Sequence, residues 1–259
     1  MGIQNLEVLK SILLDNSLLP KMSLKHKEEL KNGSGNPLEQ IELIHSSAGL
    51  AVYYFLLLEK TRNIGNVQFE WKEARPLKYG NVVNIDVKYT KDNTVYFVES
   101  KFLEPYYSGN EKVNSSYLER DKYKKCTKHL DEWIDLFSKA NEEYNYFNAV
   151  QMCRHLLAIS SIASKKGYKG KKIVLQSYSW IMPERFIGLI PSDKQDECTQ
   201  IRKKLREEEI NFKMLIDKFI NEVLIDYNIS FEIKHYNESE VLSAINNDSQ
   251  FKKRYYLDE

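Results

Sequence analysis

The sequence predicts an α/β fold with a mixed central sheet and helical additions at both ends. Three observations predict it. A helix-periodic apolar segment precedes three closely spaced strand-like runs, a second helix-periodic segment and a further strand-like run follow, and no repeat or low-complexity tract interrupts the order. With 259 residues, 42% of them hydrophobic, the chain has enough apolar material for a substantial core.

Residues 5–14 and 22–31 read as two short amphipathic helices with Pro20 between them. The cluster Asn32-Gly33-Ser34-Gly35-Asn36-Pro37 is dense in helix breakers. Pro37 suits the first turn of a new helix. That helix is expected over 38–62, where Ile41, Ile44, Ala48, Ala51, Val52, Phe55 and Leu58 recur at three- and four-residue spacing. Strands are expected over 67–72, 82–89 and 94–103. The turn residues Lys91-Asp92-Asn93 make the last two an antiparallel hairpin. Residues 104–116 read as loop. Helices follow over about 117–138 and 145–166, then a strand over 173–180, a long charged helix over about 194–226, a strand over 229–236 and a helix over 238–246. We expect a single domain over 1–259, with an N-terminal helical extension over 1–32 and a C-terminal one over 190–259.

Composition narrows the function classes. Thirty-eight basic and 37 acidic residues leave a net charge of +1, so no whole-molecule basic field exists and any nucleic-acid contact rests on local patches. Cys126, Cys153 and Cys198 form no CxxC pair, which argues against a zinc knuckle or disulfide framework. The N-terminus lacks the pattern of a secretory signal, and the most apolar run, 50–58, is too short to span a bilayer. The expectation is a soluble, cytoplasmic protein with no membrane partner.

The chemistry concentrates in the hairpin. Glu99 and Lys101 are two apart on a strand and project from the same face. Their neighbours Val95, Tyr96, Phe97, Val98 and Phe102 are apolar on both faces, as on a central strand. An ionisable group there costs several kcal/mol unless it is paired or metal-bound. Asp86, between Ile85 and Val87, has the same problem, and the hairpin can bring it beside Glu99. Two close carboxylates repel unless a cation or proton lies between them. A hard divalent ion suits such oxygens: Mg2+, with Mn2+ able to substitute. Lys101 can then orient or deprotonate a water, or stabilise charge on a phosphate. These parts suffice for phosphodiester hydrolysis.

Asp86 followed by Glu99-Ser100-Lys101 resembles the D…ExK signature of the PD-(D/E)xK nuclease superfamily, the restriction-endonuclease-like fold. The proline of that name is absent, since Ile85 precedes Asp86. The resemblance implies a core of helix, three-strand meander, helix and strand, which matches the element order above. A closer likeness to one restriction-endonuclease-like bacterial family lies in Gly33-Ser34-Gly35, Glu39, His45-Ser46-Ser47-Ala48-Gly49-Leu50-Ala51-Val52, Asn84-Ile85-Asp86-Val87, Glu99 to Tyr106, and Gln151-Met152-Cys153-Arg154-His155-Leu156-Leu157. It covers roughly residues 33–180.

The resemblance implies that Asp86, Glu99 and the Ser100 backbone carbonyl hold the metal, with an acidic residue of the first long helix completing the site. Glu39 is favoured over Glu42 for that place. The resemblance also brings Gln151 to the catalytic centre. Other residues carry two readings each. Glu70 is a ligand, a supporting group or a solvent-facing strand residue. His155 shares a helix face with Gln151, and its commoner role is that of a buried, hydrogen-bonded histidine. Glu104 and Tyr106 support the site, touch phosphate or are ordinary loop residues. Lys165, Lys166, Lys169, Lys171 and Lys172, with Tyr168, contact phosphates or are merely solvated. The stretch 122–128 has the same two readings.

The expected activity is Mg2+-dependent cleavage of DNA, with RNA left open, in a bacterial restriction or phage-defence setting, and with homodimerisation for double-strand cleavage. The alternative is a catalytically silent or partner-activated nucleic-acid-binding module of the same fold.

Overall fold

The computed structural model describes residues 6–13, 21–33, 36–43, 45–61, 64–78, 81–108, 111–123, 129–245 and 248–257. Ser34, Gly35, Ile44 and most of the basic stretch 122–128, with Cys126, lie outside them.

The elements run in chain order as follows. Helices α1 (Leu6–Ile12), α2 (Leu24–Lys31), α3 (Pro37–Gln40) and α4 (Ser47–Thr61) precede strands β1 (Gly65–Ala74), β2 (Val83–Lys91) and β3 (Thr94–Lys101). Next come α5 (Glu104–Tyr107), α6 (Leu130–Glu143), α7 (Ala149–Ser160), β4 (Lys172–Ser179), α8 (Glu184–Ile187) and α9 (Ser192–Val223). Strand β5 (Ile229–His235) and helices α10 (Ser239–Ala244) and α11 (Ser249–Arg254) complete the fold.

The five strands form one mixed sheet in sequential order. β1, β2 and β3 are antiparallel, whereas β3, β4 and β5 are parallel. Helices cover both faces. One core joins α4, α10 and α11 to Val87, Tyr89 and Val98, and the other joins α6, α7 and α9 to Val95, Phe97 and Leu175. The additions at the two ends meet on the first face, where the Tyr256 hydroxyl donates to the Ile12 carbonyl at 2.7 Å.

Three expected helices are corrected. The helix over 38–62 is broken into α3 and α4. Ser46 Oγ accepts from Gly49 N at 3.1 Å and so caps a new start. Gly49 itself lies against α3: a Cβ there would stand 2.6 Å from the Ile41 carbonyl oxygen. The helix over 117–138 is replaced by two 3-10 turns, Ser115–Tyr117 and Arg120–Lys122, and then α6. Tyr123 instead bridges to Leu77 on the far side of β1, which takes the backbone out of helical pairing. The helix over 145–166 is shorter than its periodicity, starting where Asn148 Oδ1 accepts from Gln151 N.

Candidate active site

The ladder between β2 and β3 runs from Lys91↔Thr94 to Val87↔Val98, and beyond it the strands part. Asp86 sits at that divergence. Its Oδ2 accepts from the Ser100 backbone N–H at 2.8 Å. β2 also changes sides here. Val87 and Tyr89 pack into one core and Val83 and Ile85 into the other, although residues two apart normally share a face. β1 does the same beside it, with Phe69 in one core and Trp71 in the other. The residue between them, Glu70, has a left-handed φ of 54°. Regular pairing of Phe69↔Val87 and Trp71↔Ile85 sets Glu70 opposite Asp86. Two strands therefore switch faces at the same level and leave a carboxylate at each switch.

Glu99 is buried to 2% exposure and fully engaged. Oε1 accepts from Lys101 Nζ at 2.7 Å and from Gln151 Nε2 at 2.6 Å. Oε2 lies 2.8 Å from His155 Nε2. His155 Nδ1 is buried with no hydrogen-bond partner among the described residues, so we assign the proton to Nε2. Asn148 donates to Gln151 Oε1 at 2.8 Å and fixes the amide that faces Glu99. Helix α7 thus delivers Gln151 and His155 four residues apart, on one face, to one carboxylate.

The electrostatics separate the two carboxylates. Burial pushes the Asp86 carboxyl well above its ordinary value, and the charges of Glu99 and Glu70 add to that more than Lys101 and the Ser100 N–H relieve it. Burial would raise Glu99 too, but Lys101 and His155 outweigh it and hold that carboxyl down to about 2. Burial would lower the Lys101 ammonium, but Glu99, Glu104 and Asp86 together hold it above the usual lysine value.

Beside this group opens a cavity of about 280 Å³ whose wall includes Glu99, Lys101, Glu104, Glu111, Asn148 and Ser177. Glu104 Oε2 accepts from the Phe102 N–H at 2.8 Å, which ties the start of α5 to the end of β3.

The other sequence-derived candidates divide. Gln151, His155 and Glu104 are brought to the site, and Glu70 stands next to Asp86. Glu39 lies on α3 and not on α4. Its side chain is exposed and accepts from Asn36 Nδ2 at 2.9 Å, because the break between α3 and α4 takes it off the helix that faces the sheet. Glu42 is exposed in that break. Tyr106 cannot meet phosphate: it is wholly buried, and its hydroxyl accepts from the Met182 N–H at 2.9 Å. The basic turn is at the wrong end of the sheet. Lys172 pairs with Thr94 while Lys101 pairs with Ser179, seven residues further along parallel strands. Lys165, Lys166, Lys169, Lys171 and Lys172 therefore cluster roughly 20 Å from Lys101.

Sequence reasoning missed Asn148, Glu111 and the buried group formed by Ser179, Glu209 and His235, in which Glu209 takes Ser179 Oγ at 2.7 Å and His235 Nε2 at 2.9 Å. Asn148 had a signal, an N-cap residue directly before an amphipathic run. The others lie on a loop or on elements far apart in sequence.

The comparison with protein families decides what this architecture is part of: a family model described as "restriction endonuclease associating with ARP" matches residues 42–256. The chain belongs to this family. The match takes in α4, the whole sheet, α7 and the C-terminal elements through α11, well past the end at 180 that motif resemblance suggested. It starts after Glu39. No curated protein and no solved structure matches the chain. No helix among the described residues is long and apolar enough to cross a membrane.

Among the described residues, no group of three or more His, Cys, Asp or Glu side chains is arranged to hold a metal ion. The family's fold nevertheless offers a smaller donor set, Asp86 and Glu99 with a backbone oxygen of β3. Mg2+ commonly takes only one or two protein carboxylates and keeps several waters, so a set of this size fits it.

Proposed function

We propose that this chain is a metal-dependent endonuclease of the PD-(D/E)xK type that hydrolyses phosphodiester bonds in DNA. One observation carries the reading: Asp86, held by the Ser100 N–H where β2 and β3 part, stands with Glu99 and Lys101 as an uncompensated carboxylate beside a paired one. Asp86, Glu99 and the Ser100 carbonyl would hold Mg2+ or Mn2+. The bound ion supplies Lewis-acid polarisation of the phosphate and a more acidic water.

The chain's own residues do the rest. Lys101, ion-paired with Glu99, orients the attacking water and balances charge on the phosphate. Gln151 and His155 hold the Glu99 carboxylate in place.

A second reading is a nuclease activated by a partner. Two observations favour it: the family's description associates its members with ARP, and Glu99 has both oxygens engaged by Lys101, Gln151 and His155.

The test is incubation of the purified chain with supercoiled plasmid in Mg2+, Mn2+ or EDTA, beside Glu99→Ala. Nicking or linearisation that needs both metal and Glu99 is the expected result. Cleavage that survives EDTA or Glu99→Ala overturns the reading. Silence in every metal, relieved only by a cell extract, moves it to the partner-activated form.

A further inference from the structure

Arg154 lies on α7 three residues after Gln151 and next to His155, on the edge of the helix that supports the site. Its guanidinium is unusually placed. Nη1 is ion-paired with Glu111, and the group lies 5.9 Å from the Tyr117 ring and hydrogen bonds with that side chain. Nε is buried with no acceptor among the described residues. A buried donor without a partner is costly unless something else satisfies it.

The surroundings indicate what that is. Arg154 lines a cavity of about 390 Å³ with Asn81, Asn114, Ser116 and Tyr117. Asn114 spends its side-chain oxygen on Ser116 N and Oγ, at 3.0 and 2.6 Å, which leaves its amide nitrogen as a donor. Glu111 is the one acidic side chain among the residues lining this cavity, and it also lines the cavity that holds Glu99 and Lys101. The two spaces therefore share a wall whose charge opposes Arg154. A guanidinium fork with amide and hydroxyl donors suits a phosphate group, and Arg binds phosphate in a fixed bidentate geometry.

Resting on the nuclease reading above, the geometry points to Arg154 as a clamp for the phosphate that neighbours the scissile one on the DNA strand, with Glu111 as a built-in competitor. In the free protein Glu111 occupies the guanidinium. A bound strand displaces it, and the phosphate takes up the fork and the orphaned Nε. The clamp fixes the register of the strand across α7, with the next phosphate at Lys101.

The experiment is fluorescence anisotropy of a labelled DNA duplex in EDTA, over a salt series, with wild type, Glu111→Gln, Arg154→Gln and the double variant. Glu111→Gln should tighten binding by about tenfold, a gain that misfolding cannot mimic. Arg154→Gln should weaken it by about as much and lower the salt slope by about one. The double variant should show no gain from Glu111→Gln. Wild-type affinity in Glu111→Gln, or the same gain with Arg154 absent, overturns the clamp. Cleavage is read separately, in Mg2+ and Mn2+ with and without cell extract: binding effects with no cleavage under any of these conditions keep the clamp and remove the nuclease reading, and cleavage without binding effects does the reverse.

Discussion

Glu99 Oε2 and His155 Nε2 lie 2.8 Å apart with both side chains all but excluded from solvent. A hydrogen bond to a buried charge contributes about 1.5–3 kcal/mol. His155→Ala should therefore destabilise the chain by about that amount, read as a shifted midpoint in urea at unchanged slope. His155→Gln keeps a donor and should lose less. A midpoint for His155→Ala equal to wild type would mean that Glu99 does not depend on this contact.

The same pair sets the acid response. Glu99 is held down to about 2 in the folded chain against an ordinary 4.5. Its ionised contacts therefore contribute fully above pH 4.5, and that stability is lost as pH falls toward 2. Asp86 has the opposite sign, because its folded value is raised and its ionisation opposes folding above its ordinary 3.8. Glu99→Gln should flatten the acid side of a stability curve, and Asp86→Asn should raise stability at neutral pH. Thermal melts from pH 3 to 7 would show an unchanged acid slope for Glu99→Gln and no rise for Asp86→Asn if these assignments are wrong.

Divalent metal should raise the melting temperature. A cation at Asp86 relieves the repulsion from Glu99 and Glu70, and binding to the folded state alone stabilises by mass action, about 2.7 kcal/mol at a hundred times Kd. Calorimetry with and without Mn2+ should show the increase in wild type and its absence in Asp86→Asn. An equal increase in both would place the ion elsewhere.

Lys101→Ala should leave Glu99 on Gln151 and His155, keeping the fold, while plasmid cleavage drops by roughly 10²–10⁴. Far-ultraviolet circular dichroism alongside the cleavage assay separates the two effects. Undiminished cleavage removes Lys101 from the reaction.

Glu70 and Glu39 give a direct contrast. Glu70→Gln should weaken metal binding, because its charge acts on Asp86, whereas Glu39→Gln should behave as wild type. Metal titration followed by calorimetry compares them, and the reverse ranking would restore Glu39 to the site.

Much of this arrangement was legible in the sequence. Strand alternation set β1 to β3 to within a few residues, and apolar neighbours on both sides of Asp86, Glu99 and Lys101 marked charges that needed a reason to be buried. Four-residue spacing put Gln151 and His155 on one helix face. Such features are local, decided by the period of the backbone and the cost of burying a charge.

Tertiary structure alone decided the rest. The placing of Glu70 opposite Asp86 and of Glu39 on a separate short helix depends on a left-handed residue in β1 and on a helix interrupted by close contact between Gly49 and Ile41, and neither alters the hydrophobic pattern. The distance of the basic turn from Lys101 depends on β3 and β4 being parallel, which puts the start of β4 far from the end of β3. The pairing of Arg154 with Glu111 depends on a loop folding back across 43 residues. Sequence fixes what a residue can do over one or two turns of chain. Which distant groups share one space is set by strand direction and close packing, and those are properties of the whole fold.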